Sequence, residues 1–227
     1  MITLPLNLVT IYYWKGKNEV AGSSPAPTIR NFSTKLYRGS IMQIFSIDEF
    51  LKCFEIAIDN IKQKFYLVKT IYESDGIPRE RVFCYELYHQ LRLVLSDCYQ
   101  YDLHGELDKR GHLLISQENQ KIPDFLIHIP GKMNNNQVII EIKNQISSSE
   151  IFEDLNKIIS FIRDVDYNYG ILLIYNHTYS ETLNSLIKIN WSNIYDKFDK
   201  RIYLLNKKDS LNKLETHALN EIRESIV

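Results

Sequence analysis

Ile122-Pro-Asp-Phe-Leu-Ile-His128, a polar loop, and then Gln137-Val-Ile-Ile-Glu-Ile-Lys-Asn-Gln145 form the stretch whose reading decides the fold. Two apolar runs of strand character carry three charged residues, Asp124 on the first and Glu141 and Lys143 on the second. Side chains at i and i+2 point to the same side of a strand. Glu141 and Lys143 therefore share one face, while Val138, Ile140 and Ile142 take the other. Charge on a buried-looking strand is costly unless it is paired or binds a metal, so these residues need a chemical reason.

Working outward, the flanking segments read as helices and strands in a definite order. Ser46-Ile-Asp-Glu49 has the form of a helix N-cap followed by acids in the first turn. Phe50, Phe54, Ala57, Ile58 and Ile61 then recur at helical spacing in a helix predicted to end near Lys69. Gly76-Ile-Pro78 breaks the chain, and a second helix is predicted over about 79–96, with Phe83, Leu87, Leu91 and Val94 as its apolar stripe. Strands are predicted at about 103–108, 122–129 and 138–143, the last two joined by a hairpin loop that starts at Pro130-Gly131. Ser147 to Ser149 can cap a third helix over about 150–164, whose core face is Ile151, Leu155, Ile158, Ile159 and Ile162. Gly170-Ile-Leu-Leu-Ile-Tyr175 is a continuous apolar run, as expected of a strand covered on both faces. A helix (180–189), a strand (201–205) and an amphipathic tail after Ser210, predicted as helix, complete the chain. Hairpin-linked strands followed by a helical crossover imply an α/β fold, with a mixed β-sheet flanked by helices.

A chain of 227 residues fits one domain of ordinary size. Its formal net charge of −1 means that any nucleic-acid contact must come from local patches rather than bulk charge. Cys53, Cys84 and Cys98 form no Cys-x-x-Cys pair, which argues for reduced packed thiols and against a zinc site or a disulfide framework. No run of about 18 apolar residues is present, so no membrane span is predicted. Pro5 and Asn7 interrupt the apolar start, and no basic stretch precedes it, which argues against a secretory signal and for a cytoplasmic protein. Residues 1–41 stand apart from the rest of the chain. Ala21-Gly-Ser-Ser-Pro-Ala-Pro-Thr28 reads as linker, and Gly22-Ser-Ser-Pro25 also resembles the translated T-arm of a tRNA gene. Two readings are open: a flexible N-terminal arm, or a non-native extension ahead of an initiator at Met42. The domain proper is expected to be 42–227.

Two carboxylates on neighbouring strands can offer oxygen ligands to a hard divalent cation such as Mg²⁺. Pro123 lacks an N–H, which suits a strand start where the sheet opens. A lysine beside the cation could orient a water and stabilise charge growing on a phosphate. The plain alternative is a Glu–Lys pair on one strand with Asp124 in a turn. Together, Pro123-Asp124, a spacer and Glu141-Ile142-Lys143 on an apolar strand resemble the PD-(D/E)xK nuclease superfamily. Residues 79–175 also follow that family's restriction-endonuclease-like αβββαβ core, with extra helices at both ends.

The resemblance implies that Asp124 and Glu141 bind Mg²⁺, or Mn²⁺ in its place, and that Lys143 activates or positions the attacking water. It implies that Glu86, on the preceding helix, completes the metal shell; from the helix alone, Glu86 reads rather as a solvated margin residue. Glu106 resembles an acidic first-strand residue of some members, with Asp108 of the same parity as its competitor. His128 fits a member pattern but reads as well as a packed strand histidine, and Gln145 either touches a phosphate or ends the strand. DNA is the implied substrate and RNA the alternative; no membrane partner is expected, and a homodimer is compatible. Basic residues that could serve phosphates are Lys109, Arg110, Lys197, Lys200, Arg201, Lys207 and Lys208. The competing function is a catalytically idle binding module of the same fold.

Overall fold

The computed structural model describes residues 45–95, 101–107, 122–131, 135–189, 191 and 200–226. Residues 1–41, Cys98, Asp108, Lys109, Arg110 and Lys197 lie outside the described residues. In chain order the described elements are helices α1 (Ile47–Asp59), α2 (Gln63–Tyr66) and α3 (Glu80–Leu95), and strands β1 (Asp102–Gly105), β2 (Phe125–His128) and β3 (Asn136–Lys143). Helix α4 (Ser148–Asp164), strand β4 (Tyr169–Tyr175), helix α5 (Tyr179–Leu186), strands β5 (Ile202–Lys207) and β6 (Glu215–Ala218) and helix α6 (Leu219–Ile226) complete the order.

The six strands form one mixed sheet in sequential order. β1, β2 and β3 pair antiparallel, β3, β4 and β5 run parallel, and β6 returns antiparallel on β5. Parallel neighbours need a crossover, and α4 and α5 supply the two. The sheet is covered on both faces. Val138, Ile140, Ile142, Ile171, Leu173 and Tyr175 point into one core with Phe50, Phe54, Phe83 and Leu87 of α1 and α3. Leu126, Ile139, Leu172, Ile174 and Leu204 point into the other, with Ile151, Leu155, Ile158 and Ile162 of α4. The two-residue period of β3 therefore divides the core, and it places Glu141 and Lys143 on the α4 side.

Local chemistry sets the starts of α1, α4 and α5. Ser46, Ser147 and Thr178 accept from the backbone N–H three residues on, and Glu181 returns the bond at Thr178 to close a capping box. Gly170 has a packing reason: a Cβ there would stand 2.2 Å from Ile158 Cγ2, so only glycine lets α4 lie this close to β4.

Two elements differ from expectation. The first helix ends at Asp59 rather than near Lys69: Lys62 is extended, and Ile61 is drawn into the core beside Ile58. The tail is not wholly helical, because Glu215–Ala218 pairs with the free edge of β5 before α6 begins. No described helix is long and apolar enough to cross a membrane.

Candidate functional site

The β2–β3 ladder ends at Phe125 and Ile140, so beyond it the Ile142 N–H has no β2 carbonyl to meet. Asp124 fills the gap with its side chain: the Ile142 N–H donates to Asp124 Oδ2 at 2.7 Å. Pro123 contributes by withholding a donor, and the Asp124 carbonyl accepts from the Glu106 N–H at 2.9 Å. Asp124 is thus fixed at the open end of β2, against the charged end of β3.

Glu141 is not in an open cleft. Its side chain is 1% exposed, beneath α4, and its Oε2 accepts from Lys157 Nζ at 2.6 Å. Asp154, one turn earlier on α4, lies 3.5 Å from both lysines, its Oδ1 to Lys157 and its Oδ2 to Lys143. The result is a buried row of alternating charge, Glu141–Lys157–Asp154–Lys143. Lys143, with 27% of its side chain exposed, is the member that reaches solvent.

The electrostatics follow from burial. Desolvation pushes the Asp124 carboxyl up to about 6, against the opposing pull of the Ile142 N–H, Lys157 and Lys143. Burial pushes Glu141 well above the ordinary carboxylate range, Lys157 opposes this, and the charges of Asp124 and Asp154 add to it. Burial works against the Lys143 ammonium, but Asp154, Glu80, Asp124 and Glu141 outweigh it and hold its pKa above the ordinary lysine value. Lys157 is raised in the same way, with Glu141 as its main support. Both lysines are therefore held in the ammonium form.

Three members of this cluster escaped the sequence reading. Glu80, in the first turn of α3, acts on both Asp124 and Lys143. Asp154 and Lys157 sit on α4, and they left a trace: Asp154 falls in phase with Ile151 and Ile158, so the apolar stripe carries an acid at its centre. Burial first, then Asp124, Glu80, Glu106 and Glu141, push up the Cys84 thiol, which favours its neutral form.

Glu86 does not share the position of Glu80. Cys84 marks the side of α3 that senses Asp124 and Glu141, and Glu86 is two residues on, about 200° round the helix. Its Oε1 accepts from Gln90 Nε2 at 2.7 Å. Glu106 lies beside the Asp124 backbone with a left-handed φ of 47°, and its carboxylate pairs with exposed Arg81 at 3.6 Å. His128 is buried and meets His104 across the strands, Nε2 to Nδ1 at 2.9 Å, as a packed histidine pair. The Gln145 amide nitrogen faces Glu150 at 3.0 Å, at the start of α4. Of the basic residues, Lys207 is withdrawn from the surface: it is 1% exposed, with its ammonium on Asp59 and the Asn212 carbonyl. Lys200 and Lys208 remain exposed.

Asp124 and Glu141 suit a hard divalent cation on two grounds. Glu141 Oε1 is buried with no hydrogen-bond partner. Four carboxyls, of Asp124, Glu141, Asp154 and Glu80, also crowd two ammoniums, of Lys143 and Lys157, and the charges of Asp124 and Asp154 are part of what raises Glu141. Among the described residues no three His, Cys, Asp or Glu side chains form a ready-made metal cage, so two carboxylates with waters is the donor set on offer. In comparison with known proteins, no family model, no curated protein and no solved structure matches the chain.

Proposed function

We propose that the chain is a divalent-metal-dependent nuclease of the PD-(D/E)xK type, hydrolysing phosphodiester bonds in DNA. One observation carries this reading: Asp124, 17 positions before Glu141, takes the N–H of Ile142 beside it on β3 and bears on the Glu141 carboxyl, with protonated Lys143 at the solvent side. The order α3–β1–β2–β3–α4–β4, an antiparallel meander followed by a helical crossover to a parallel strand, supports it.

Asp124 and Glu141 Oε1 would hold Mg²⁺ or Mn²⁺, which supplies Lewis acidity and a more acidic bound water. Lys143 keeps its proton and donates toward the phosphate, countering the charge that builds there. Lys157 and Asp154 fix the Glu141 and Lys143 side chains from α4, so the donors are held in place before substrate arrives. Glu80 adds negative charge at the same edge.

The second reading, a catalytically idle binding module of the same fold, is favoured by one observation. Glu141 is already neutralised by Lys157, and Lys143 by Asp154. A Mg²⁺-dependent nicking assay on plasmid, single-stranded DNA and RNA separates the two. Cleavage that is lost in Asp124→Ala and Lys143→Ala supports the nuclease. Cleavage that survives both substitutions overturns the site. No cleavage of any polymer, with no cation binding by calorimetry, selects the idle module.

A further inference from the structure

The loop between α2 and α3 presents two large apolar side chains to water. Ile71 is 95% and Tyr72 93% exposed, side by side. Their position is built. Val68 and Ile77 exchange both backbone hydrogen bonds, at 2.9 and 3.0 Å, and close the loop at its base. Above them the Thr70 N–H donates to the Glu73 carbonyl at 3.2 Å, while the Glu73 N–H donates to Thr70 Oγ1 at 3.1 Å. Gly76 turns the returning arm with a φ of +84°, where a Cβ would press on Leu67 at 3.1 Å. The turn that carries Ile71 and Tyr72 is therefore held outward by the loop's own bonds, which lowers the ordering cost of any contact they make.

The surroundings specify the occupant. Ile77 is three residues before Glu80, which acts on Asp124 and Lys143. At about 3.5 Å per residue, Tyr72 lies within about 28 Å of the Glu80 backbone, a reach of a few nucleotides. Lys62, Lys64, Lys69, Arg79 and Arg81 are exposed on the same stretch, against exposed Glu73 and Asp75 on the descending arm. Cations meet phosphates, and an exposed aromatic with an aliphatic neighbour suits a base face or the gap between two bases. Two side chains fall far short of the roughly 800 Å² per partner of a standard protein interface. We propose that Ile71 and Tyr72 form a wedge that stacks against the bases of a polynucleotide held at the neighbouring carboxylate–lysine site. This rests on the nuclease reading and adds to it a point of contact with the bases.

The experiment uses the full chain with Asp124→Asn, with and without Ile71→Ser/Tyr72→Ser, and oligonucleotides carrying 2-aminopurine. Fluorescence quenching reports stacking, and anisotropy reports affinity. The expected result is loss of quenching and about tenfold weaker binding in the serine variant, recovered by Tyr72→Trp. Hydrolysis of the base-free diester bis(p-nitrophenyl) phosphate by chains with native Asp124 should be unchanged by the loop substitutions. If the serine variant binds and quenches like its parent on an oligonucleotide the chain cleaves, the wedge is refuted and the nuclease reading stands. If the parent binds no oligonucleotide, both fall.

Discussion

Lys157→Met is the sharpest test of the buried charge row. Methionine keeps most of the side-chain volume and removes the ammonium that donates to Glu141 Oε2 at 2.6 Å. Glu141 is then a carboxylate with 1% of its side chain exposed, Oε1 already without a partner, and the charges of Asp124 and Asp154 pressing on it. Breaking a buried pair by deleting one partner costs about 3–5 kcal/mol. A proton sets the ceiling. A carboxyl with an ordinary value of 4.5 held neutral at about pH 7 costs roughly 3 kcal/mol, at about 1.4 kcal/mol per unit. With its folded pKa raised further, Glu141 favours folding below its unfolded value and loses that contribution as pH rises. Because the parent's Glu141 is itself raised and already carries part of that cost, the deficit should be at most about 3 kcal/mol near pH 7 and shrink below about 1 kcal/mol near pH 5. Urea denaturation in EDTA at both pH values measures it, with a melting shift of at most about 6–12 °C near neutrality. Glu141→Gln/Lys157→Met should regain much of the loss, since a neutral buried pair has no stranded charge. A single variant as stable as its parent near pH 7, or a double variant as costly as the sum of its parts, refutes the coupling.

Asp124→Asn tests the raised carboxyl. Because burial lifts Asp124 from 3.8 to about 6, its contribution favours folding below the unfolded value and is lost as pH rises through about 6. The asparagine, which can still accept from the Ile142 N–H, should be near neutral at about pH 4 and up to about 3 kcal/mol more stable than the metal-free parent above pH 7; equal stability above pH 7 contradicts this. Under the proposed function, Glu80→Gln should lower Mg²⁺-dependent cleavage about tenfold or more, while Glu86→Gln leaves it within about twofold; the reverse ranking in a plasmid assay would return the helical role to Glu86. Gly170→Ala should cost about 1–3 kcal/mol by overpacking against Ile158, read by chemical denaturation, and the loss should be less than additive with Ile158→Ala.

The periodicities legible in the sequence are local, and the structure keeps them. The alternation of β3, the caps at Ser46, Ser147 and Thr178, the apolar run of β4 and the core face of α4 each depend on near neighbours in the chain. Where a segment's state depended on a distant partner, local pattern failed. Glu-Thr-His-Ala at 215–218 has no strand alternation of apolar residues, and becomes β6 because the edge of β5 is open to it. The site divides the same way. Sequence placed Asp124, Glu141 and Lys143 on adjacent strands, because the hairpin and the two-residue period are short-range. Tertiary structure alone brought Glu80, in the first turn of α3, into their field. It alone set Lys157 on Glu141 and Asp154 on Lys143 and Lys157, and it alone buried Lys207 beside Asp59. Which charges meet depends on how a helix and a strand are registered against each other, and that registration is set by the packing of side chains far apart in the chain.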